Sequence, residues 1–284
     1  MISKRLHCFT LLAIFALSLS LTIDAQDNKE DNKGKVAPFT IDQQGGWLIL
    51  SIMVDGKGPL KIVYDTGASE SYINPTSYRK YSLNKGNHKL KMGDLEFETN
   101  KFPPDVQDIP GFDGIMGFDV ISQFVCTVNI SKKQITFFNK SDWKSPIIPK
   151  GSKTKKVKYI GKSSQGLEAM ALNVYINEQG PLQLLIDTGS PAACWLLQST
   201  AQKVGLSPSQ QPTTGKVKVA DGVEVAQGVI MTIPQPNLQQ AAQMLNIDGV
   251  LGGNFLKDFI VTFDVVNKEV IFEPLTSPTP PKKK

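Results

Sequence analysis

The chain has 284 residues, 40% of them hydrophobic and 20% charged, enough for one large domain or two small ones. Its formal net charge of +5 is mild and its lysines are scattered, with no basic stripe carrying interleaved aromatics, which sets a nucleic-acid partner aside. Histidine and cysteine are too few and too dispersed for an ordinary zinc site or a disulfide scaffold; neither a metal nor an organic cofactor enters the chemistry expected below.

Residues 1–25 have the form of an export signal. Lys4 and Arg5 open it, Leu11 to Leu21 is its apolar core, and Ile23-Asp24-Ala25 offers cleavage before Gln26. The core is too short for an ordinary membrane span, so no stable membrane insertion is expected after cleavage. Cys8 precedes that core and is badly placed for a lipid-modified mature N-terminus. The expected location is periplasmic or extracellular. Residues 26–35 are polar and charged and read as a disordered leader.

The first lobe is expected over residues 36–140. Trp47 to Val54 is strand-like, Asp55-Gly56-Lys57-Gly58 turns the chain, and Leu60 to Tyr64 is a short apolar strand that delivers Asp65. A strand within residues 68–74 and a short helix from Pro75 to about Tyr81 follow. Residues 87–105 read as a hairpin turning at Gly93-Asp94. His88, between polar neighbours, reads as a solvated surface histidine. Gly111 to Ile121 is a glycine-punctuated apolar stretch leading into a short helix, and residues 124–138 form a hairpin around Ser131-Lys132-Lys133.

The segment from Asn139 to Val157 is rich in Lys, Ser and Pro and reads as a linker, placed in domain terms at 141–154. The second lobe, 155–274, replays the first. Ala169 to Ile176 is a strand, Leu182 to Ile186 delivers Asp187, and residues 215–233 form a hairpin turning at Asp221-Gly222. Asp248 to Leu256 repeats the glycine-punctuated stretch, and a closing hairpin follows. Residues 275–284 read as a flexible tail. Cys126 and Cys194 read as two buried thiols. Trp47, Trp143, Trp195, Phe124, Phe137 and Phe259 read as core.

The repeat is exact in spacing over its key stretches. Gly58–Gly67 (GPLKIVYDTG) maps onto Gly180–Gly189 (GPLQLLIDTG) at an offset of 122, and residues 113–138 map onward at 135. The 13 extra residues in the second half accommodate Pro236 to Leu245, an inserted short helix with Asn237 as a possible cap. A buried strand ending in Asp-Thr-Gly sets a carboxylate at the end of rigid backbone. Glycine lets the following N–H reach it, and threonine can hydrogen-bond across to a second copy. Two carboxylates within about 3 Å share a proton, because both cannot easily ionise. With His7 lost alongside the signal, His88 would be the sole histidine for serine-type hydrolysis, so hydrolysis falls to the carboxylates.

These motifs resemble the retropepsin- and pepsin-like aspartic proteases, most of all exported bacterial single-chain members with two fused retropepsin-like repeats. The resemblance spans roughly residues 36–140 and 155–274. It implies an all-β, two-lobed, pseudo-twofold fold of two β-barrel halves with a few short helices, acting as a monomer on a protein or peptide substrate. It makes Asp65 and Asp187 the catalytic pair, with loop support from Thr66, Gly67, Ser69, Thr188, Gly189 and Ser190. Ile115-Met116-Gly117 and Val250-Leu251-Gly252 become structural elements beneath the catalytic loops.

Two departures stand out. The hairpin at 87–105 has no tyrosine and one internal glycine, unlike the flaps of the family. Ala68 follows the first motif where Ser190 follows the second. A hydroxyl there can stabilise a carboxylate, so Asp65 is expected to be the less stabilised of the two, with an optimum near pH 5 as a rough figure. The implied activity is endopeptidase; the alternative is a non-catalytic retropepsin-fold peptide-binding module of the cell envelope.

Overall fold

The computed structural model describes residues 33–43, 45–104, 108–164, 167–207, 211–233 and 236–275. The expected export signal, most of the expected leader and the tail beyond Leu275 lie outside the described residues. The first half supplies β1 (Lys35–Ile41), β2 (Leu48–Val54), β3 (Lys57–Tyr64), β4 (Tyr72–Ile73), α1 (Pro75–Lys80), β5 (His88–Met92), β6 (Leu95–Thr99), β7 (Gly114–Met116), α2 (Phe118–Ile121), β8 (Phe124–Asn129) and β9 (Gln134–Asn139). The second supplies β10 (Lys155–Lys158), β11 (Ile160–Ser164), β12 (Leu167–Ile176), β13 (Gln179–Asp187), β14 (Cys194–Leu196), α3 (Gln198–Lys203), β15 (Thr213–Ala220), β16 (Val223–Thr232), α4 (Pro236–Met244), β17 (Gly249–Gly252), α5 (Gly253–Leu256), β18 (Phe259–Asp264) and β19 (Glu269–Pro274).

Period-two patterning and turn chemistry set the local structure. Leu90 and Met92 of β5 point inward while Lys89 and Lys91 face solvent. Asp55 and Gly56 both take positive φ (54° and 74°), the conformation that turns β2 tightly into β3. Asn177 and Glu178 do the same between β12 and β13. The inward faces bury Leu50, Ile52, Leu60 and Ile62 in the first half and Leu172, Val174, Leu184 and Ile186 in the second. Each such side chain stabilises the fold by about 1.5–3 kcal/mol of transfer free energy.

Three strands from each half form the antiparallel run β10-β19-β18-β8-β9-β1. Its middle seam pairs Thr127 of β8 with Thr262 of β18, and their hydroxyl oxygens lie 2.8 Å apart. These two threonines occupy equivalent positions of the repeat, so the pseudo-twofold axis passes between them. On either side of this sheet, β3 pairs in parallel with β7, and β13 with β17, in matching register. The result is an all-β, two-lobed molecule.

The halves differ beyond the axis. In the second, β14 pairs in parallel with β16 over three residues. In the first, a single bridge joins Ile73 to Pro104, because prolines 103 and 104 have no N–H to continue a ladder. The inserted helix α4 and the residue that follows it bury Ala242 and Leu245 against Ala169, Ala171 and Leu185. The helix starts at Pro236, one residue before Asn237.

Several expectations are corrected. Residues 155–157 are not linker; they belong to β10, where Lys156 and Lys158 reach Glu269 (3.8 and 3.0 Å) across the pair with β19. The remaining linker is anchored by Trp143, whose indole N–H donates to Asp264 (2.8 Å). Phe124, Phe137 and Phe259 are core, but Trp47, Trp143 and Trp195 are only half-buried. His88 is 1% exposed, not solvated. It shares the inward face of β5 with Leu90 and Met92, its Nδ1 lies 2.7 Å from Asp55, and Tyr78 packs edge-on against its ring. Cys126 and Cys194 are free and buried, and burial pushes the Cys126 thiol up to about 12.

Candidate active site

Each Asp-Thr-Gly follows a buried strand that runs beside a short parallel neighbour. The backbone N–H of Asp65 donates to the Met116 carbonyl (3.0 Å), fixing the end of β3 against β7. Below the loops, Asp113 and Asp248 play the same structural part in the two halves. Asp113 accepts the Lys61 N–H (2.8 Å) and the Ser77 hydroxyl; Asp248 accepts the Gln183 N–H (2.9 Å) and the Thr200 hydroxyl (3.4 Å). The Phe118 and Gly253 N–H groups then donate to Ala68 and Ser190 carbonyls, each at 2.7 Å, seating the helices α2 and α5 under the catalytic loops.

The two loops lock through their threonines. The Thr66 hydroxyl donates to the Ile186 carbonyl (2.9 Å) and accepts the Thr188 N–H (3.1 Å). The Thr188 hydroxyl donates to the Tyr64 carbonyl (2.9 Å) and accepts the Thr66 N–H (3.1 Å). Both side chains are buried, so all four bonds form away from water, where leaving a partner unmade costs most. This second pair of equivalent threonines lies on the same pseudo-twofold axis as Thr127 and Thr262.

That lock turns the carboxyl groups of Asp65 and Asp187 toward each other at the meeting of the two loops. Each glycine stands against the opposite aspartate. A Cβ on Gly67 would fall 2.4 Å from Asp187 Cγ, and one on Gly189 would fall 2.5 Å from an Asp65 carboxyl oxygen. Any side chain at either position would occupy the space of the pair. Each carboxylate also accepts its own loop's N–H, Asp65 from Gly67 (2.8 Å) and Ala68 (3.1 Å), Asp187 from Gly189 (2.7 Å).

Burial pushes the Asp187 carboxyl well above the ordinary carboxylate range. The facing Asp65 charge and the hydrogen bond between them push the same way, and the Gly189 and Ser190 N–H groups offset only part of it. The Ser190 hydroxyl is buried and reaches no hydrogen-bond partner. Support for the pair comes from main-chain N–H groups, which an alanine at position 68 supplies as well as a serine would.

Ser69 does not touch the pair. Its hydroxyl donates to the Glu168 carbonyl (3.1 Å) and accepts the Glu168 N–H (3.2 Å), joining the first catalytic loop to the opposite lobe. The β5–β6 hairpin is likewise held elsewhere. The Asp94 N–H donates to the Val36 carbonyl (2.9 Å), so the tip sits on β1 instead of over the catalytic loops.

Trp47 is the site residue that the sequence reading missed. It enters from the β1–β2 turn, and its indole N–H donates to the Gly189 carbonyl at 2.5 Å. Phe112 stacks edge-on against its ring with centroids 5.1 Å apart. The two half-buried rings make an aromatic wall beside the second Asp-Thr-Gly. The repeat held a signal for this: the residue equivalent to Trp47 is Ala169, so the tryptophan is not demanded by the shared fold.

Residues 172–255 match a family model described as aspartyl protease. Among solved structures, basic 7S globulin from soybean is similar at TM-score 0.53 and 12% identity, over 85% of this chain and 94% of that one. The aspartic proteinase from Irpex lacteus is similar at TM-score 0.54 and 11% identity, over 87% and 99%. At these identities the likeness is one of fold. No curated protein sequence matches the chain.

Proposed function

We propose that this chain, whose fold and family match support the retropepsin- and pepsin-like aspartic proteases, is an exported aspartic endopeptidase. The observation that carries this reading is the contact between the Asp65 and Asp187 carboxyls, held by four buried threonine hydrogen bonds and two glycines that leave room only for that pair. A binding module gains nothing from holding two like charges together, because the repulsion must be offset elsewhere in the fold.

The chemistry follows from a shared proton. With one proton between the carboxyls, the ionised one takes a proton from a water placed between them as that water attacks the peptide carbonyl carbon. The protonated one gives its proton to the carbonyl oxygen. The neutral tetrahedral intermediate collapses when the now-protonated carboxyl gives its proton to the amide nitrogen, the ionised carboxyl takes a proton from one gem-diol hydroxyl, and the C–N bond breaks to release acid and amine with the shared proton restored. The raised Asp187 carboxyl supports its role as the initial acid, which leaves the base's part to Asp65. Trp47 and Phe112 would offer an apolar substrate side chain an aromatic surface beside the pair. The basic and apolar pattern of residues 1–25 supports export.

The test is hydrolysis of an unfolded protein at mildly acidic pH, with and without a statine-containing peptide that mimics the tetrahedral intermediate. Cleavage blocked by the statine supports the reading. A folded protein that binds peptide and cleaves none of it would be the binding module instead.

A further inference from the structure

The two halves do not fill their equivalent spaces equally. Beside the second catalytic loop the structure holds a cavity of about 170 Å³, walled by Ile41, Leu48, Val128, Val261 and Phe263. Thr188 and Pro191 close it on the catalytic-loop side. The repeat identifies what occupies the matching place in the first half. Gly253, which lines the cavity, corresponds to Phe118, which is buried. Gly46 and Pro191 correspond to Glu168 and Ser69, which are bonded to each other across the lobes. One flank is thus closed by an aromatic ring and a cross-lobe bridge. The other has two glycines and a proline in their place and stays open.

Volume and charge narrow what would fit. An apolar cavity of roughly 150 Å³ takes up a benzene ring, so this one suits a single phenyl or branched-alkyl group. Lys257 also lines the cavity; it is exposed, and its ammonium makes no ion pair among the described residues. We propose that this cavity binds a small apolar carboxylate. The hydrocarbon takes the place that Phe118 holds in the first half, and the carboxylate meets Lys257. This site is separate from the carboxylate pair and does not depend on the peptidase reading.

The test is a titration of the full chain with phenylpropionate, followed by NMR of isotope-labelled methyl groups. The expected result is saturable shifts at Ile41, Leu48, Val128 and Val261. The neutral phenylpropanol and the Lys257→Gln variant should each bind about threefold or more weakly, the order of one exposed ion pair. Gly253→Phe should weaken binding at least about tenfold by refilling the space, the order expected for one buried side chain. A Cβ at Gly253 would meet the Ser190 carbonyl oxygen at 3.2 Å, tight but not blocked. Absence of methyl shifts in wild type, shifts confined to other residues, or a folded Gly253→Phe that binds as tightly as wild type would overturn the site. Equal binding of phenylpropanol would overturn its anionic specificity. Should Gly253→Phe not fold, the methyl map and Lys257→Gln decide the question.

Discussion

The indole N–H of Trp47 donates to the carbonyl of Gly189, tying the first lobe to the backbone of the second catalytic loop across 142 residues. The same glycine crowds the Asp65 carboxyl from the other side. Trp47→Phe keeps most of the ring and removes the donor. The expected result is a lower kcat with Tm reduced by only a few degrees, as for about 1 kcal/mol. Steady-state kinetics beside calorimetry check this; an unchanged kcat would leave Trp47 as packing alone.

Thr66→Val leaves the Thr188 N–H and the Ile186 carbonyl without their buried partner. The cost is expected at about 2–4 kcal/mol, from two groups desolvated and unsatisfied. Thr188→Val should cost about the same by symmetry. Denaturant unfolding of both variants checks the pair, and a loss under about 1 kcal/mol would contradict the lock.

Gly67→Ala places a methyl where Asp187 Cγ stands. Its backbone is not in the left-handed region, so the chain itself tolerates alanine and the clash falls on the carboxyl pair. Activity should fall by about a hundredfold or more, the order expected for displacement of a reacting group by an ångström. Far-UV circular dichroism should stay that of wild type.

The raised Asp187 carboxyl has a consequence for stability. A carboxyl whose folded pKa exceeds its unfolded value of about 3.9 contributes stability that is complete below that value and is lost as pH rises through the folded one. Asp187→Asn removes this loss. Its Tm should exceed that of wild type near neutral pH and converge with it below about pH 4. A gap that widens on acidification would contradict the assignment.

Asp55 gives the opposite sign. Burial raises the Asp55 carboxyl, but hydrogen bonds from His88 and the Lys89 N–H outweigh it and hold the pKa below the usual value. That contribution is present above the unfolded pKa and lost as pH falls through the folded one. Asp55→Asn should therefore destabilise at neutral pH and matter less in acid, which thermal melts at two pH values check.

Much of this was legible because the informative contacts are written twice. Two Asp-Thr-Gly motifs at one offset, each with a later Asp-Gly, place the carboxyl pair and its threonines, and Asp55-Gly56 marks its own turn. What stayed hidden depends on residues without a counterpart. Trp47 reaches a carbonyl far along the chain, and its repeat partner is an alanine. His88 was misread from its polar neighbours, although the alternation His88, Leu90, Met92 put it on the inner face. The Ser190 hydroxyl makes no bond to the pair; main-chain N–H groups, Ser190's own among them, do the work expected of it, and sequence does not distinguish those.

The most direct test compares wild type with Asp65→Asn and Asp187→Asn, each confirmed as folded, for cleavage of a denatured protein from about pH 3 to about pH 7. A shared pair predicts cleavage by wild type and a loss of several orders of magnitude in both variants alike. Activity retained by either variant would contradict catalysis by the two carboxyls acting as one unit.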